Sequence, residues 1–342
     1  MIRSVFRFRN VFIVFLLASF VGVGYVVYYY NQIKYEVNKL IDYHPTLTTE
    51  IYDRNGEKIA NIFNKEHRYF VHFNDIPPQI VEALLAIEDT MFFEHPGINI
   101  DAIMRAIIKD IKARKLVEGA STITQQLVKN TLLTREKKFS RKFKELLFSL
   151  KIESVLTKEE ILERYLNQIY YGHGYYGIKT ASIGYFHKDL DDLSLKEIAV
   201  LVGLPKAPSY YSPTRHYEQA LGRGNRVVSR MHTIGWIDDN SYEQALHERP
   251  EVFDDTLTQN RAPYIVDEVL RQLRGEFKDL KGGGYKIHTT IDIRMQEAAR
   301  IALKDGYNMS LERALASNDY NQTLMDKLNG AMVSIEPSTG DI

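Results

Sequence analysis

The pattern of hydrophobic and polar positions changes period several times along the chain. Residues 11–30, from Val11 to Tyr30, carry no charge. Twenty such residues suffice to cross a bilayer as a helix. Arg3, Arg7 and Arg9 precede the stretch, and Tyr28, Tyr29 and Tyr30 close it as an interfacial aromatic belt. The positive-inside rule then predicts a cytoplasmic tail over 1–10, a transmembrane helix over 11–30 and everything beyond on the outer face. The apolar run is too long for a signal-peptide core, and no A-x-A-like cleavage site follows it.

Residues 49–73 read as β, with a hairpin turning at Asn55-Gly56. From 78 to 250 the period is helical. Pro77-Pro78 opens one helix, and an amphipathic stretch runs from Ile98 to Leu116. Capping boxes at Thr122/Gln125, Thr157/Glu160 and Ser194/Glu197 open three more. Pro205 and Pro208 close the last of these, and 217–248 is helical again. After Gly282-Gly283-Gly284 the pattern returns to strand over 285–291, and Ala331–Ile335 reads as another. The pattern then breaks off at Ile342 in an unfinished hairpin, as in a piece of a longer protein.

Composition changes this picture little. Lys plus Arg equal Asp plus Glu at 44 each, so no global positive field points to nucleic acid. There are no cysteines, which excludes disulfides, thiolate nucleophiles and Cys-ligated zinc.

Four segments have residue types that can carry chemistry. The first is Glu88-Asp89-Thr90-Met91-Phe92-Phe93-Glu94-His95-Pro96-Gly97. A carboxylate among apolar groups has a raised pKa and can act as a base, although for this segment taken alone an ion-paired helix end is the better reading. The second runs Gly119-Ala120-Ser121-Thr122-Ile123-Thr124-Gln125-Gln126-Leu127-Val128-Lys129-Asn130. Its helix N-terminus suits a phosphate, with Gln125 and Lys129 on one face; a well-capped surface helix is the alternative. The third is Arg141-Lys142-Phe143-Lys144-Glu145, preceded by Lys137 and Lys138. Lys138, Arg141 and Glu145 share a face, and Phe143, Leu146, Leu147 and Leu150 form the predicted core stripe opposite. That basic face can hold a pyrophosphate and its cation, or be merely solvated. The fourth is Lys158 to Asn167, in which Ile161, Leu162, Tyr165, Leu166 and Ile169 read as core, with Glu163 and Asn167 as support.

In this order and spacing the four segments resemble the family 51 glycosyltransferases, through E-D-x-x-F-x-x-H-x-G, G-x-S-T-I-T-Q-Q-x-x-K-N, R-K-x-x-E and K-x-x-I-L-E-x-Y-L-N. A fifth motif, paired arginines before V-L-x-x-M, is kept only in part as Asn225-Arg226-Val227-Val228-Ser229-Arg230-Met231. Residues 260–342 look like the linker and first strands of a class A penicillin-binding protein's transpeptidase. No S-x-x-K or K-T-G occurs there.

The resemblance implies a mainly α, lysozyme-like glycosyltransferase domain over 31–250, with a membrane-lying jaw near 98–116. A small α/β linker and partial transpeptidase segment would follow over 251–342. It implies polymerisation of lipid II by inverting attack of an acceptor 4-hydroxyl on the donor anomeric carbon. Glu88 would be the base, and Glu145 would organise the donor diphosphate. Asp89, Phe92, His95, Ser121, Thr122, Thr124, Gln125, Gln126, Lys129, Asn130, Lys137, Arg141 and Lys142 would contact substrate. It requires no nucleotide, and leaves room for Mg2+ or Mn2+ at Glu88 or Glu145. Partners would be lipid II, the growing glycan, membrane lipid and other wall-synthesis proteins, at the outer face of a bacterial cytoplasmic membrane. The competing readings are a lysozyme-like lytic glycosidase and a non-catalytic wall-synthesis scaffold.

Overall fold

The computed structural model describes residues 12–13, 15–17, 19–28, 45–113, 119–133, 138–254, 260–316 and 329–340. The predicted cytoplasmic tail, Lys137 and the end of the expected jaw lie outside them, as do parts of the expected transmembrane segment. Residues 12–13, 15–17 and 19–28 are helical and exposed. Among the described residues, no helix is long and apolar enough to cross a membrane. The protein is mainly helical with one small sheet. It divides into two compact units, residues 1–45 with 70–254, and residues 46–69 with 255–342.

Among the described residues, the regular elements of the first unit are helices. Helix α1 (Pro78–Glu88) starts with proline at its first turn, where no amide hydrogen is needed, and buries Ile80, Ala83, Leu84, Leu85 and Ala86. Helix α2 (Ile100–Ala113) follows. Helix α3 (Ile123–Thr131) opens with the predicted capping box: the Thr122 hydroxyl accepts from Gln125 N–H and the Gln125 side chain accepts from Thr122 N–H. It packs on both α4 (Lys138–Glu153) and α5 (Lys158–Gln168). After α6 (Ile178–Phe186) comes α7 (Leu195–Gly203), buried at every position from Lys196 onward. A helix hydrophobic on all sides belongs at a centre, and α7 lies against α1, α6, α8 (Tyr217–Thr233) and α9 (Asp239–His247).

In the second unit the hairpin forms as predicted. Strand β1 (Thr49–Tyr52) pairs antiparallel with β2 (Lys58–Ile62), and Gly56 takes the left-handed backbone the turn requires, at φ 83°. Asp53 anchors the turn by accepting N–H bonds from Asn55 and Glu57 at 2.8 and 2.7 Å. Helix α10 (Pro263–Gln272) precedes β3 (Lys286–His288), which adds parallel to β1. Ile51, Ile59, Ala60 and Ile62 form a core with Ala262, Val266, Ile291 and Ile293. Helix α11 (Ile293–Leu315), capped by Asp292, leaves this core at its first residue and is otherwise mostly exposed.

Several local expectations need correction. The β pattern over 49–73 yields strands only as far as Ile62, and Phe73–Asp75 is a 3-10 turn. Val71 and Phe73 give their backbone groups to side chains of α5 rather than to a sheet. The helical run 217–248 is two helices, broken where Gly235 takes a φ of 77° and Asp238 caps α9. Ala331–Ile335 is exposed and forms no strand. The expected core stripe of α4 holds in part: Leu147 is buried and Leu146 and Leu150 are half-buried, but the buried face extends to residues outside the stripe. Phe143 is 43% exposed, whereas Glu145, Phe148, Ser149 and Ile152 are buried. Glu145 is thus turned inward together with Leu147 and Phe148.

Candidate active site

Glu88 is the last residue of α1, and its side chain is 17% exposed. Both its oxygens have partners. Gln126 Nε2 of α3 donates to Oε2 at 2.7 Å. The Arg223 guanidinium of α8 stands 3.5 Å from Oε1. Arg223 is itself buried, and its stem crosses Gly203 so closely that a Cβ there would lie 2.7 Å from Cγ. Burial pushes the Glu88 carboxyl above its ordinary range. The Gln126 hydrogen bond and the charges of Arg223 and Lys206 oppose that push, and neighbouring Asp89 adds to it.

The rest of the first motif is tied to α3 and α4 by hydrogen bonds and close packing. Asp89 is buried and accepts from His95 Nε2 at 3.0 Å and from the Ile123 amide at 3.1 Å. Gly97 N–H donates to His95 Nδ1 at 3.1 Å, so the ring hydrogen sits on Nε2. Thr122 Oγ1 donates to the Gly97 carbonyl at 2.7 Å. Only glycine fits position 97, where φ is 88° and a Cβ would meet Glu153 Cγ at 2.8 Å. Glu153 accepts from Thr124 Oγ1 at 2.5 Å and pairs with Lys158 at 2.7 Å. The Lys158 ammonium lies 4.3 Å from the centre of the fully buried Phe92 ring. Asp89, Phe92, His95, Thr122 and Thr124 are thus held in place by these contacts.

Around the start of α3 the second and third motifs meet. Lys142 Nζ donates to Ser121 Oγ at 2.9 Å and to Gln125 Oε1 at 3.4 Å, and forms a close ion pair with Glu145. Glu145 is buried although its partner is exposed. Arg141, one turn earlier on that face, has a buried Nε with no hydrogen-bond partner among the described residues. Gln125 and Gln126 are adjacent, so the first turns of α3 tie Glu88 on one side to the Lys142–Glu145 pair on the other. Lys129 and Asn130 are exposed near the other end of α3. Behind the site, Asn167 exchanges two hydrogen bonds with the Val71 backbone, and Glu163 accepts from Phe73 N–H.

Comparison with known proteins gives the family. The family model described as transglycosylase matches residues 55–232, just over half the chain. The chain belongs to the transglycosylase family. It is 36% identical over 314 residues to penicillin-binding protein 1A of Rickettsia typhi, covering 90% of this chain and 40% of that protein. It is 38% identical over 293 residues to penicillin-binding protein 1A of Aquifex aeolicus, covering 85% of this chain and 40% of the other. Penicillin-binding protein 1F of Bacillus subtilis is 36% identical over 304 residues. The chain therefore spans about 40% of the length of these relatives. A crystal structure of penicillin-binding protein 1A from Haemophilus influenzae aligns at a TM-score of 0.45 with 25% identity, over 78% of this chain and 30% of that one.

Two residues that contact the Glu88 cluster are not marked as site residues by the sequence. Arg223 stands before the incomplete fifth motif, and its signal was the pair Gly222 and Gly224 around it inside a helix. Glycine in a helix interior costs about 1 kcal/mol relative to alanine, which argues for close approach. Tyr165 reads as core by its apolar spacing, yet its hydroxyl donates to Gln126 Oε1 at 3.1 Å. Among the described residues of the transglycosylase, no group of three acidic or histidine side chains could hold a metal ion. Glu88 is engaged by Gln126 and Glu145 by Lys142. This donor set makes no protein cage for Mg2+ or Mn2+.

Proposed function

We propose that this transglycosylase polymerises lipid II into glycan strands and releases the polyprenyl diphosphate. The supporting observation is that one helix end, at the start of α3, is bonded both to a desolvated carboxylate, Glu88, and to the Lys142 ammonium, which is ion-paired with Glu145. Inverting glycosyl transfer from a diphosphate needs those two functions. A base must remove the proton of the acceptor 4-hydroxyl, and cations must stabilise charge growing on the leaving group.

In this reading Glu88 takes that proton as the acceptor oxygen attacks the anomeric carbon from the face opposite the departing diphosphate. Burial gives the carboxylate affinity for a proton, and its two partners hold it in place. Lys142, Arg141 and Lys129 face the diphosphate, with Ser121 beside Lys142. The unpartnered Arg141 Nε suits an anionic oxygen. Glu145 holds Lys142 in position. A divalent cation, if used, would draw mostly on diphosphate oxygens, and no step above depends on one.

The enzyme would be held at the outer face of a bacterial cytoplasmic membrane by residues 11–30. The family's lysozyme-like description fits the helical unit, with a jaw on α2. Ile100 and Ile111 are each 70% exposed, and Met104, Ile107 and Ile108 about half exposed, beside Arg105, Lys109 and Lys112. Such a helix lies in an interface with its apolar side toward lipid.

Purified protein in detergent, given lipid II or finished glycan strands separately, tests the reaction class. The expected result is glycan polymer from lipid II and no cleavage of strands. Cleavage of strands without polymerisation would make it a lytic enzyme, and inertness toward both would make it a scaffold.

A further inference from the structure

Tyr165 is not needed as a hydroxyl by the core that buries it. Phenylalanine would fill the same space in α5. The ring is 1% exposed, and burial holds the phenol well above its ordinary pKa, helped by the charge of Glu88. The hydroxyl therefore keeps its hydrogen and must donate it, and it donates to Gln126 Oε1 at 3.1 Å. The same amide donates from Nε2 to Glu88 Oε2 at 2.7 Å. These three groups form one chain of donors, O–H to C=O and N–H to carboxylate.

An amide can turn over and exchange its oxygen and nitrogen. With Glu88 ionised and acceptor-only, a flipped Gln126 would oppose oxygen to oxygen. With Glu88 protonated the flip is tolerable on that side, since the acid O–H can donate to the amide oxygen. At the other end, the flip would leave the buried phenol hydrogen facing an NH2 group. A buried donor without an acceptor is costly.

We propose that Tyr165 is a positioning residue for the base: its buried hydroxyl locks the Gln126 amide so that N–H, not C=O, always faces Glu88. This rests on the reading of Glu88 as general base. The lock favours the ionised form, against the burial that disfavours it. It keeps the base ready at neutral pH and returns it to that state after each proton transfer. The other charged groups acting on Glu88 are Arg223 from α8, Lys206 from the 3-10 turn after α7, and Asp89 beside it. None of these orients the Gln126 amide.

The test is the initial rate of lipid II polymerisation against pH for the full chain and for Tyr165→Phe, Gln126→Ala, the double variant and Glu88→Gln. Tyr165→Phe is expected to move the acid limb upward by about half to one pH unit, the size of one buried hydrogen bond. Its rate should return to within about twofold of wild type on the alkaline plateau, at an unchanged KM. Gln126→Ala should shift the limb at least as far, and adding Tyr165→Phe to it should change nothing further, because the hydroxyl acts only through that amide. An unshifted limb in Tyr165→Phe, or additive effects in the double variant, would overturn the proposal. A uniform loss of rate at every pH would also overturn it, by reducing Tyr165 to a packing residue. If Glu88→Gln kept its rate, the base assignment itself would fall. If Glu88→Gln were inactive and Tyr165→Phe unshifted, only the lock would fall.

Discussion

Glu88 is kept nearly dry but never unpartnered, and that combination sets its chemistry. A carboxyl whose folded pKa is raised stabilises the fold least when ionised. Its contribution is full below the unfolded value of 4.5 and is lost as pH rises through the higher folded value. Glu88→Gln removes that loss. The melting-temperature difference, variant minus wild type, should therefore grow as pH rises from about 4 to 8; a flat difference would mean no shift. Arg223→Ala should act the other way on function. Without the guanidinium at 3.5 Å the carboxylate form is less favoured, so the acid limb of the rate profile should rise and neutral-pH activity fall about tenfold. Arg223→Lys should recover little, since a lysine cannot reproduce the stem crossing Gly203 with a fork at its end. Glu145→Gln should free Lys142 and weaken donor binding; measured donor affinity equal to wild type would count against its role. Glu88 and Glu145 were recognisable as candidates because two carboxylates sat in distinctive motifs. Arg223 was not, because its role depends on α8 crossing α7, a contact no local pattern records.

At the scale of elements, the capping box of α3 does more than start a helix. Thr122 accepts from Gln125 N–H and donates to Gly97 O, joining two motifs through one hydroxyl. Thr122→Ala should cost about 2 kcal/mol, one cap and one buried hydrogen bond together. Urea denaturation of the variant checks this, and an unchanged midpoint would contradict it. The starts of α1, α3, α5 and α7 could be read from the sequence because caps and prolines are local signals. The full extent of the buried face of α4 could not. Its period was plain, but counting Glu145 as a surface residue put Phe143 in the core. A carboxylate turned inward inverts the rule that polar residues face water. The strand pattern over 63–73 misled for a related reason: the side chains of Asn167 and Glu163 take up backbone groups that a sheet would otherwise use.

Across the whole molecule, the hairpin at 49–62 belongs with residues more than 200 positions away. β1 lies between β2 and β3, and Asp53 also accepts from the Ile293 amide at 3.3 Å. Periodicity identified both strands, but pairing between distant segments has no local signature. Burial alone would raise the Asp53 carboxyl, yet hydrogen bonds from Glu57, Ile293 and Asn55 hold it below its ordinary 3.8. Its contribution is present above that value and lost as pH falls through the lower folded one. Asp53→Ala should destabilise the sheet unit by about 2 kcal/mol, through buried amides left without an acceptor. Calorimetry would register this as a lower transition temperature at neutral pH, with the gap closing in acid. The transglycosylase family was legible from four motifs, none decisive alone, that the structure gathers into one helical unit.

The central claim is that Glu88 removes the proton of the incoming sugar while the cations across α3 hold the departing diphosphate. The most direct measurement is the initial rate of lipid II polymerisation by folded Glu88→Gln protein beside wild type at neutral pH. A loss of about a hundredfold or more is predicted. A rate within a few-fold of wild type would contradict it.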